Sequence, residues 1–548
     1  MLNPATSSHP SSAASTLWLL LLALAGVVMV VPMGFILSAW LDASDTTQMM
    51  LQAMAHTVLP QYVATTAWLC LGVSLGAGSM GLVSATLVTL YEFPGKRQLE
   101  WLLLLPMAMP SFIVGFAYTD FFQFSGSLQS HVRQWLGWQG ALWPDIRSLW
   151  GAVLVFSLTL YPYVYVLVRA ALLERASHLM VSARLLGASS VRRWMTIAWP
   201  MSRPAWVAGL SLVLMETLAD YGLSSYFGIQ TFSTGVFKAW LVMDQPALAA
   251  QLSSMLLLGV FVVLLLEAKA RQHMRFHARG GGHDGQAHQA MPLRGTSGLV
   301  AALLTSLPVV LGFGLPCAIL ISAMLKEPIA LQMANIWQWT FNGFYLAALT
   351  AVLAVAVALL FTTAKRLHPH AVTRLGAHLI GLGYALPGTI LVVGVLGTLS
   401  GLDRLLGLSG SSALIASGGA LMWTYLIRFS AVAMQSIESG YSRIPQALDE
   451  ASKTLGQPAG ATFVRVHVPL LKTSLLTGLL LVFVDVMKEL PATLVLRPFD
   501  HDTLAVVAYQ LARDERLGEA ALPALLLVAV GLIPVVLLIR SMRKTPDK

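Results

Sequence analysis

Residues 181–200 read VSARLLGASSVRRWMTIAWP and residues 450–469 read EASKTLGQPAGATFVRVHVP: one pattern written twice, 269 positions apart. In each copy a pair of small residues stands five and four positions before a glycine, Gly187 or Gly456. A β-branched residue follows ten positions later (Ile197, Val466), and a proline thirteen positions later (Pro200, Pro469). The register continues without a gap, so that Glu216 falls on Asp485 and Asp220 on Glu489. A repeat of this length marks a duplicated unit.

The composition says which medium the unit lives in. The 548 residues are 56% hydrophobic and only 11% charged, against about 25% charged in an ordinary soluble domain. Apolar runs repeatedly exceed the roughly 18 residues that a membrane-crossing helix needs. The expected fold is an all-α polytopic membrane protein of about twelve transmembrane helices. They are placed near 16–40, 61–91, 99–122, 149–171, 204–228, 250–268, 297–324, 342–364, 375–400, 411–432, 473–496 and 519–539. The first run is longer than the apolar core of a signal peptide and has no basic stretch before it, so it reads as a retained helix.

Twelve helices divide as six and six, which gives both halves the same orientation: a parallel repeat about an axis along the membrane normal. The expected organisation is a disordered N-terminus (1–15), a first repeat (16–268), a cytoplasmic linker (269–296), a second repeat (297–540) and a C-terminal tail (541–548). The linker is rich in Gly, His and Gln and reads as a flexible tether. Its histidines, His273, His277, His283 and His288, read as solvated rather than as a metal site. Cys70 and Cys317 both lie in apolar runs and support neither a disulfide framework nor a thiolate site.

The net charge of +9 raises the question of a nucleic-acid partner, which its distribution excludes. With both termini in the cytoplasm, about 25 of the 34 Lys and Arg residues fall in the inside segments. That is the bias that orients membrane helices. The partner it implies is the lipid bilayer.

The repeated segment is legible as local structure. Ala, Leu and long side chains before the glycine favour helix. Gly187 and Gly456 permit the left-handed conformation that ends one. Ser189 or Ser190 in the first copy, and Pro458 in the second, suit the start of a short following helix. Pro200 and Pro469 then open a membrane helix. The result is a helix–turn–helix on the cytoplasmic face, made twice, which suits a symmetric partner.

At these residues the chain resembles the permeases of ABC importers, whose loop reads Glu-Ala-Ala, three residues, Gly, nine residues, Ile or Val, two residues, Pro. The second copy fits at Glu450, Ala451, Gly456, Val466 and Pro469. The first fits at Ala183, Gly187, Ile197 and Pro200, with Val181 and Ser182 where Glu and Ala are usual. The resemblance implies that both loops dock on a separate ABC ATPase, present in two copies. It also implies an extracytoplasmic substrate-binding protein and a multi-pass location in the bacterial cytoplasmic (inner) membrane.

The segments METLADYGLSSYFGIQTFSTGVFKAW (215–240) and LVFVDVMKELPATLVLRPFDHDTLAVVAYQLARDER (481–516) resemble the fused, double-length permeases of ferric-iron importers. Thiamine and phosphonate permeases share that plan and remain alternatives. No G-x-x-x-x-G-K-[ST] occurs in the chain. It is therefore expected to be no enzyme and to bind no cofactor, with ATP and magnesium held by the partner ATPase.

Glu216, Asp220, Asp485 and Glu489 fall within predicted membrane helices, in two i, i+4 pairs. A charge at the bilayer centre costs about 2.5–3.5 kcal/mol, so four facing lipid would cost roughly 10 kcal/mol. They must face protein or water. Two readings stay open. The acids lock helices together, with Lys488, Tyr221 or backbone groups as partners. Or they line the translocation pathway, as transient oxygen ligands for a hard cation, with Tyr221 and Tyr226 as possible further donors. A rival of another class is a proton-coupled secondary transporter that uses the same acids.

Overall fold

The computed structural model describes residues 12–41, 45–173, 177–275, 291–326, 333–367, 370–407 and 410–543. Of the linker histidines, His277, His283 and His288 lie outside the described residues, as does the side chain of His273.

All twelve expected apolar stretches are helical. In the first half the principal helices are α1 (Ser12–Ser38), α2 (Leu59–Leu90), α3 (Ser111–Phe122), α4 (Leu149–Ala171), α5 (Trp199–Ala219), the short α6 (Gly222–Tyr226) and α7 (Pro246–Arg275). The second half has α8 (Thr296–Lys326), α9 (Met333–Leu367), α10 (Gly388–Leu406), α11 (Gly419–Tyr441), α12 (Val468–Met487), the short α13 (Pro491–Leu496) and α14 (Leu517–Arg543). Eight helices among the described residues are long and apolar enough to cross a membrane, and a ninth span is bent by 93° between Lys96–Ala108 and Ser111–Leu136. α5 and α11 are more polar, carrying Glu216 and Thr217 in one and Thr424, Arg428 and Ser430 in the other.

Five of the expected helices are not continuous: 411–432 breaks at Ser417–Gly418, and four others break at repeat-related positions. The stretch 99–122 breaks at Met109–Pro110 and 375–400 breaks between Leu382 and Pro387. The stretch 204–228 breaks at Asp220–Tyr221 and 473–496 breaks at Lys488–Leu490. These are the third and fifth helices of each half, so the breaks repeat with the sequence. Proline accounts for three of them. Pro110, Pro387 and Pro491 each lack a backbone N–H and force the preceding residue out of the helical region or open the next helix.

The halves exchange their first helices. α1 packs on α10 and on Ala371–Gly381 of the second half, and the Trp423 indole donates to the Val28 carbonyl at 3.1 Å. In return α8 packs on α2, α3 and α14, and Tyr118 donates to the carbonyl of Leu311. Both contacts need glycine for close approach. A Cβ at Gly394 would lie 2.7 Å from the Pro32 carbonyl oxygen, and one at Gly312 would lie 2.5 Å from that of Leu158. A two-residue parallel ladder, Tyr91 with Met291 and Glu92 with Pro292, adds a further tie between the halves. The buried core runs through both halves, while large residues such as Leu75, Leu258, Leu299 and Phe341 stay exposed on the outer helical faces, as lipid-facing surfaces require.

Candidate functional site

All four repeat-related breaks open onto one cavity of about 140 Å³. Its wall takes Met109, Pro110 and Ser111 from the first break, Asp220 to Gly222 from the second, Tyr384 from the third and Lys488 to Pro491 from the fourth. Irregular backbone at membrane depth is tolerated where it lines such a space, because carbonyls and amides find partners there that lipid cannot supply. Glu216, Asp220, Asp485, Glu489 and Lys488 are all on this wall. The structure thus gathers at one place, between the halves, the four acids that the repeat register paired, together with Lys488.

The breaks also correct the i, i+4 reading. α5 ends at Ala219 and α12 at Met487, so Asp220 and Glu489 do not continue the face of Glu216 and Asp485. Each turns back to cap the short helix that follows. Asp220 accepts from the amide and the hydroxyl of Ser224, at 2.9 and 3.0 Å, and more weakly from the Leu223 amide and the Ser111 hydroxyl. Glu489 accepts from the amide and the hydroxyl of Thr493, at 3.0 and 2.8 Å, and from the Ala492 amide at 3.0 Å. Carboxylates at a helix start satisfy orphan N–H groups and meet the positive end of the helix dipole. The structure thus divides the acids: Asp220 and Glu489 cap short helices, while Glu216 and Asp485 line the cavity without capping anything.

Of the remaining pairs, one crosses between the halves and two lie within the second. Tyr384, from the second half, donates to Glu216 at 3.0 Å. Asp485 pairs with Lys488 at 2.9 Å. Arg428 on α11 pairs with Glu489 at 3.2 Å. The Asp485 side chain is 20% exposed and that of Glu489 only 2%, though both line the cavity. Tyr221 lines the cavity. Tyr226 is instead packed against Phe116 and lies under the Arg147 guanidinium. Among the described residues, no three His, Cys, Asp or Glu side chains gather closely enough to hold a metal ion. The four acids are thus spread around one wall and do not form a coordination sphere.

Arg428, Tyr384 and Tyr163 complete the wall and were not singled out from the sequence. Arg428 gave a signal: it is a charge in the interior of the predicted tenth membrane helix, and such a charge is by default a functional candidate. The tyrosines gave none, being ordinary in apolar helices.

The repeated loops fold alike. Helices Ser177–Leu185 and Ala447–Thr454 are followed by Gly187 at φ +79° and Gly456 at φ +72°. The amides of Gly187 and Ala188 donate to the carbonyls of Arg184 and Ala183, and those of Gly456 and Gln457 to Lys453 and Ser452. This is the two-bond C-cap that a left-handed glycine makes possible. Ser189 caps the next turn through its hydroxyl. A π-helical turn follows in both copies, Trp194–Ala198 and Phe463–His467, before Pro200 and Pro469 open α5 and α12. Leu186 and Leu455, at equivalent positions, are 87% and 78% exposed. Glu450 and Ala451 are exposed, Ala183, Ile197 and Val466 half-buried.

Underneath, the copies differ. Asp449 accepts from Arg366 at 2.8 Å and bonds the fully buried His467 at 2.7 Å. Tyr441 links His467 to Thr363, and Arg366 also donates to the carbonyls of Tyr441, Ile444 and Pro445. Burial raises the Asp449 carboxyl, but the bonds and charges of His467 and Arg366 outweigh it and hold the group below the usual carboxylate range. At the equivalent positions the first half has Met180 and Ala198, both buried and apolar. The second loop is thus clamped to α9 by a polar network that has no counterpart at Met180 and Ala198.

Residues 77–275 match the family model described as "Binding-protein-dependent transport system inner membrane component". Along nearly its whole length the chain is similar to the Fe(3+)-transport system permease protein FbpB 2 of Haemophilus influenzae, 23% identical over 526 residues, which span 95% of this chain and 97% of that protein. The sulfate transport system permease protein CysT of Salmonella typhimurium is 26% identical over 247 residues, 43% of this chain and 82% of that one. The molybdenum transport system permease protein ModB of Escherichia coli is 29% identical over 147 residues, 27% of this chain and 62% of that one.

Proposed function

We propose that this chain, a fused double-length permease of the binding-protein-dependent ABC importers, carries ferric iron across the bacterial inner membrane. One observation carries the cargo reading: a cavity between the halves with four carboxylates on its wall and two bases, Arg428 and Lys488. The excess is acidic, and carboxylate and phenol oxygens suit a hard trivalent cation. The full-length similarity to an Fe(3+)-transport permease supports the same cargo.

The chain's own work is positioning. Two ATPase subunits, which hold ATP and magnesium, dock on the loops at Leu186 and Leu455 from the cytoplasm, where both termini lie. The loops run through π-helical turns directly into α5 and α12, which end at the cavity. Closure of the ATPases thus reaches Glu216 and Asp485 along two rigid helices. The outer segments 230–245 and 499–516 receive the two lobes of the binding protein. In this reading Glu450 and Gly456 contact or shape the second docking surface, and Ala183 and Gly187 the first.

A second reading is an oxyanion cargo. Arg428 Nε is buried with no hydrogen-bond partner, and sulfate and molybdenum permeases are among the relatives. Uptake of radioactive ferric iron by cells with and without the chain decides between them. Iron uptake that depends on the chain and survives excess sulfate and molybdate supports the iron reading. Uptake of labelled sulfate or molybdate in place of iron overturns it. Uptake driven by a proton gradient with no co-purifying ATPase would support the secondary-transport rival.

A further inference from the structure

We infer that Lys488 is a tethered stand-in for the cargo: its ammonium occupies the acidic side of the cavity between transits and helps to expel iron from it. The inference rests on the ferric-iron reading. Of the four cavity acids, Asp220 and Glu489 are committed to capping α6 and α13, and Glu489 also to Arg428. The acids left for the cargo are Glu216 and Asp485, which are equivalent by the 269-residue register. Lys488 is 2.9 Å from Asp485 and lines the same cavity as Glu216, which reaches it from the other half. The position equivalent to Lys488 in the first half is Ala219. One cation therefore serves two acids that the duplication made alike.

The geometry allows the ammonium to leave. Lys488 lies at the break between α12 and α13, so its backbone is outside the regular helix. Its side chain is 33% exposed, against 12% for Arg428, which is held on the Glu489 carboxylate, itself only 2% exposed. A lysine carries its charge on a flexible four-carbon stem and can swing where a forked guanidinium cannot without losing its pairing. Simultaneous occupancy is disfavoured. A trivalent ion and an ammonium on the same pair of carboxylates repel strongly in a site of reduced dielectric. The site is thus neutralised in part by Lys488 or by iron, and not by both. The return of Lys488 to Asp485 compensates the acids as iron departs, so that release does not leave two uncompensated carboxylates at membrane depth.

The test uses the purified complex of this chain with its ATPase, incubated with radioactive ferric citrate, and the same complex in proteoliposomes with the binding protein. In Lys488→Gln, iron retained after desalting should rise roughly tenfold or more, while the maximal uptake rate and the half-saturating concentration both fall. Lys488→Arg, which keeps the charge, should restore retention to near the wild-type level. Asp485→Asn combined with Lys488→Gln should abolish the excess retention. Unchanged retention in an assembled Lys488→Gln complex overturns the inference, as does excess retention in Lys488→Arg equal to that in Lys488→Gln. Failure of the wild-type complex to take up iron overturns the iron reading itself, and is distinguished by the wild-type arm. If Lys488→Gln does not assemble, the Arg variant and the double variant still carry the comparison.

Discussion

Asp220 and Glu489 stand 269 residues apart and make the same bonds: each accepts from the backbone amide and the side-chain hydroxyl of the residue four positions later, Ser224 in one half and Thr493 in the other. Two acids that would be costly in a bilayer are thereby satisfied locally. The duplication has preserved a capped helix break, and the break is what opens the cavity.

The two kinds of acid should separate by experiment. Glu216→Gln with Asp485→Asn should abolish iron uptake while complex assembly and basal ATP hydrolysis stay measurable. Full uptake by the double variant would show that the cavity-facing acids are not on the path.

Asp220→Ala and Glu489→Ala should act first on stability. Loss of a cap costs about 0.5–2 kcal/mol. Glu489→Ala should cost more than Asp220→Ala, because it also strands Arg428 with only 12% of its side chain exposed. Melting temperatures of the detergent-solubilised chain check the order, with Glu216→Gln as the variant expected to melt like wild type.

The coupling loops should be equivalent at their surface and unequal beneath it. Leu186→Asp and Leu455→Asp should each weaken co-purification of the ATPase, since each places a charge on an exposed apolar contact. Asp449→Ala should reduce it further than Met180→Ala. The first leaves Arg366 and His467 without their carboxylate, a loss of about 3 kcal/mol or more for a buried pair, and the second removes only packing. Equal effects of Asp449→Ala and Met180→Ala would refute the asymmetric clamp.

Asp449 also gives the clamp a pH dependence. Its carboxyl ordinarily titrates near 3.8 and is held lower in the fold. A depressed carboxylate contributes stability that is fully present above the unfolded-state value and is lost as pH falls through the folded-state value. The protection factors of the 450–457 amides, corrected for the intrinsic pH dependence of exchange, should therefore be flat at neutral pH and fall only at pH below about 4. Asp449→Asn should abolish the step.

Gly187→Val and Gly456→Val should disorder the turns, since a β-branched residue at φ above +70° costs about 1–2 kcal/mol. Reduced ATPase co-purification with an unchanged global melt is the expected readout.

The sequence by itself determined the medium, the repeat and the helix-ending turns at Gly187 and Gly456. Hydropathy, charge bias and a left-handed glycine are local properties, and they act the same wherever the segment packs. The register even paired the four acids that meet at the cavity. It misplaced two of them on a shared helical face, because i, i+4 spacing assumes a continuous helix and neither Asp220–Tyr221 nor Lys488–Leu490 is one. Only the tertiary structure decided the rest. The exchange of α1 and α8 depends on which glycines meet which carbonyls across the halves. The role of Tyr384 depends on a hydroxyl arriving at Glu216 from 168 residues away. The clamp on the second loop joins Arg366, Asp449 and His467 from three separate helical segments. No local pattern encodes these pairings, since they arise when buried polar groups must find partners and the fold offers only certain ones.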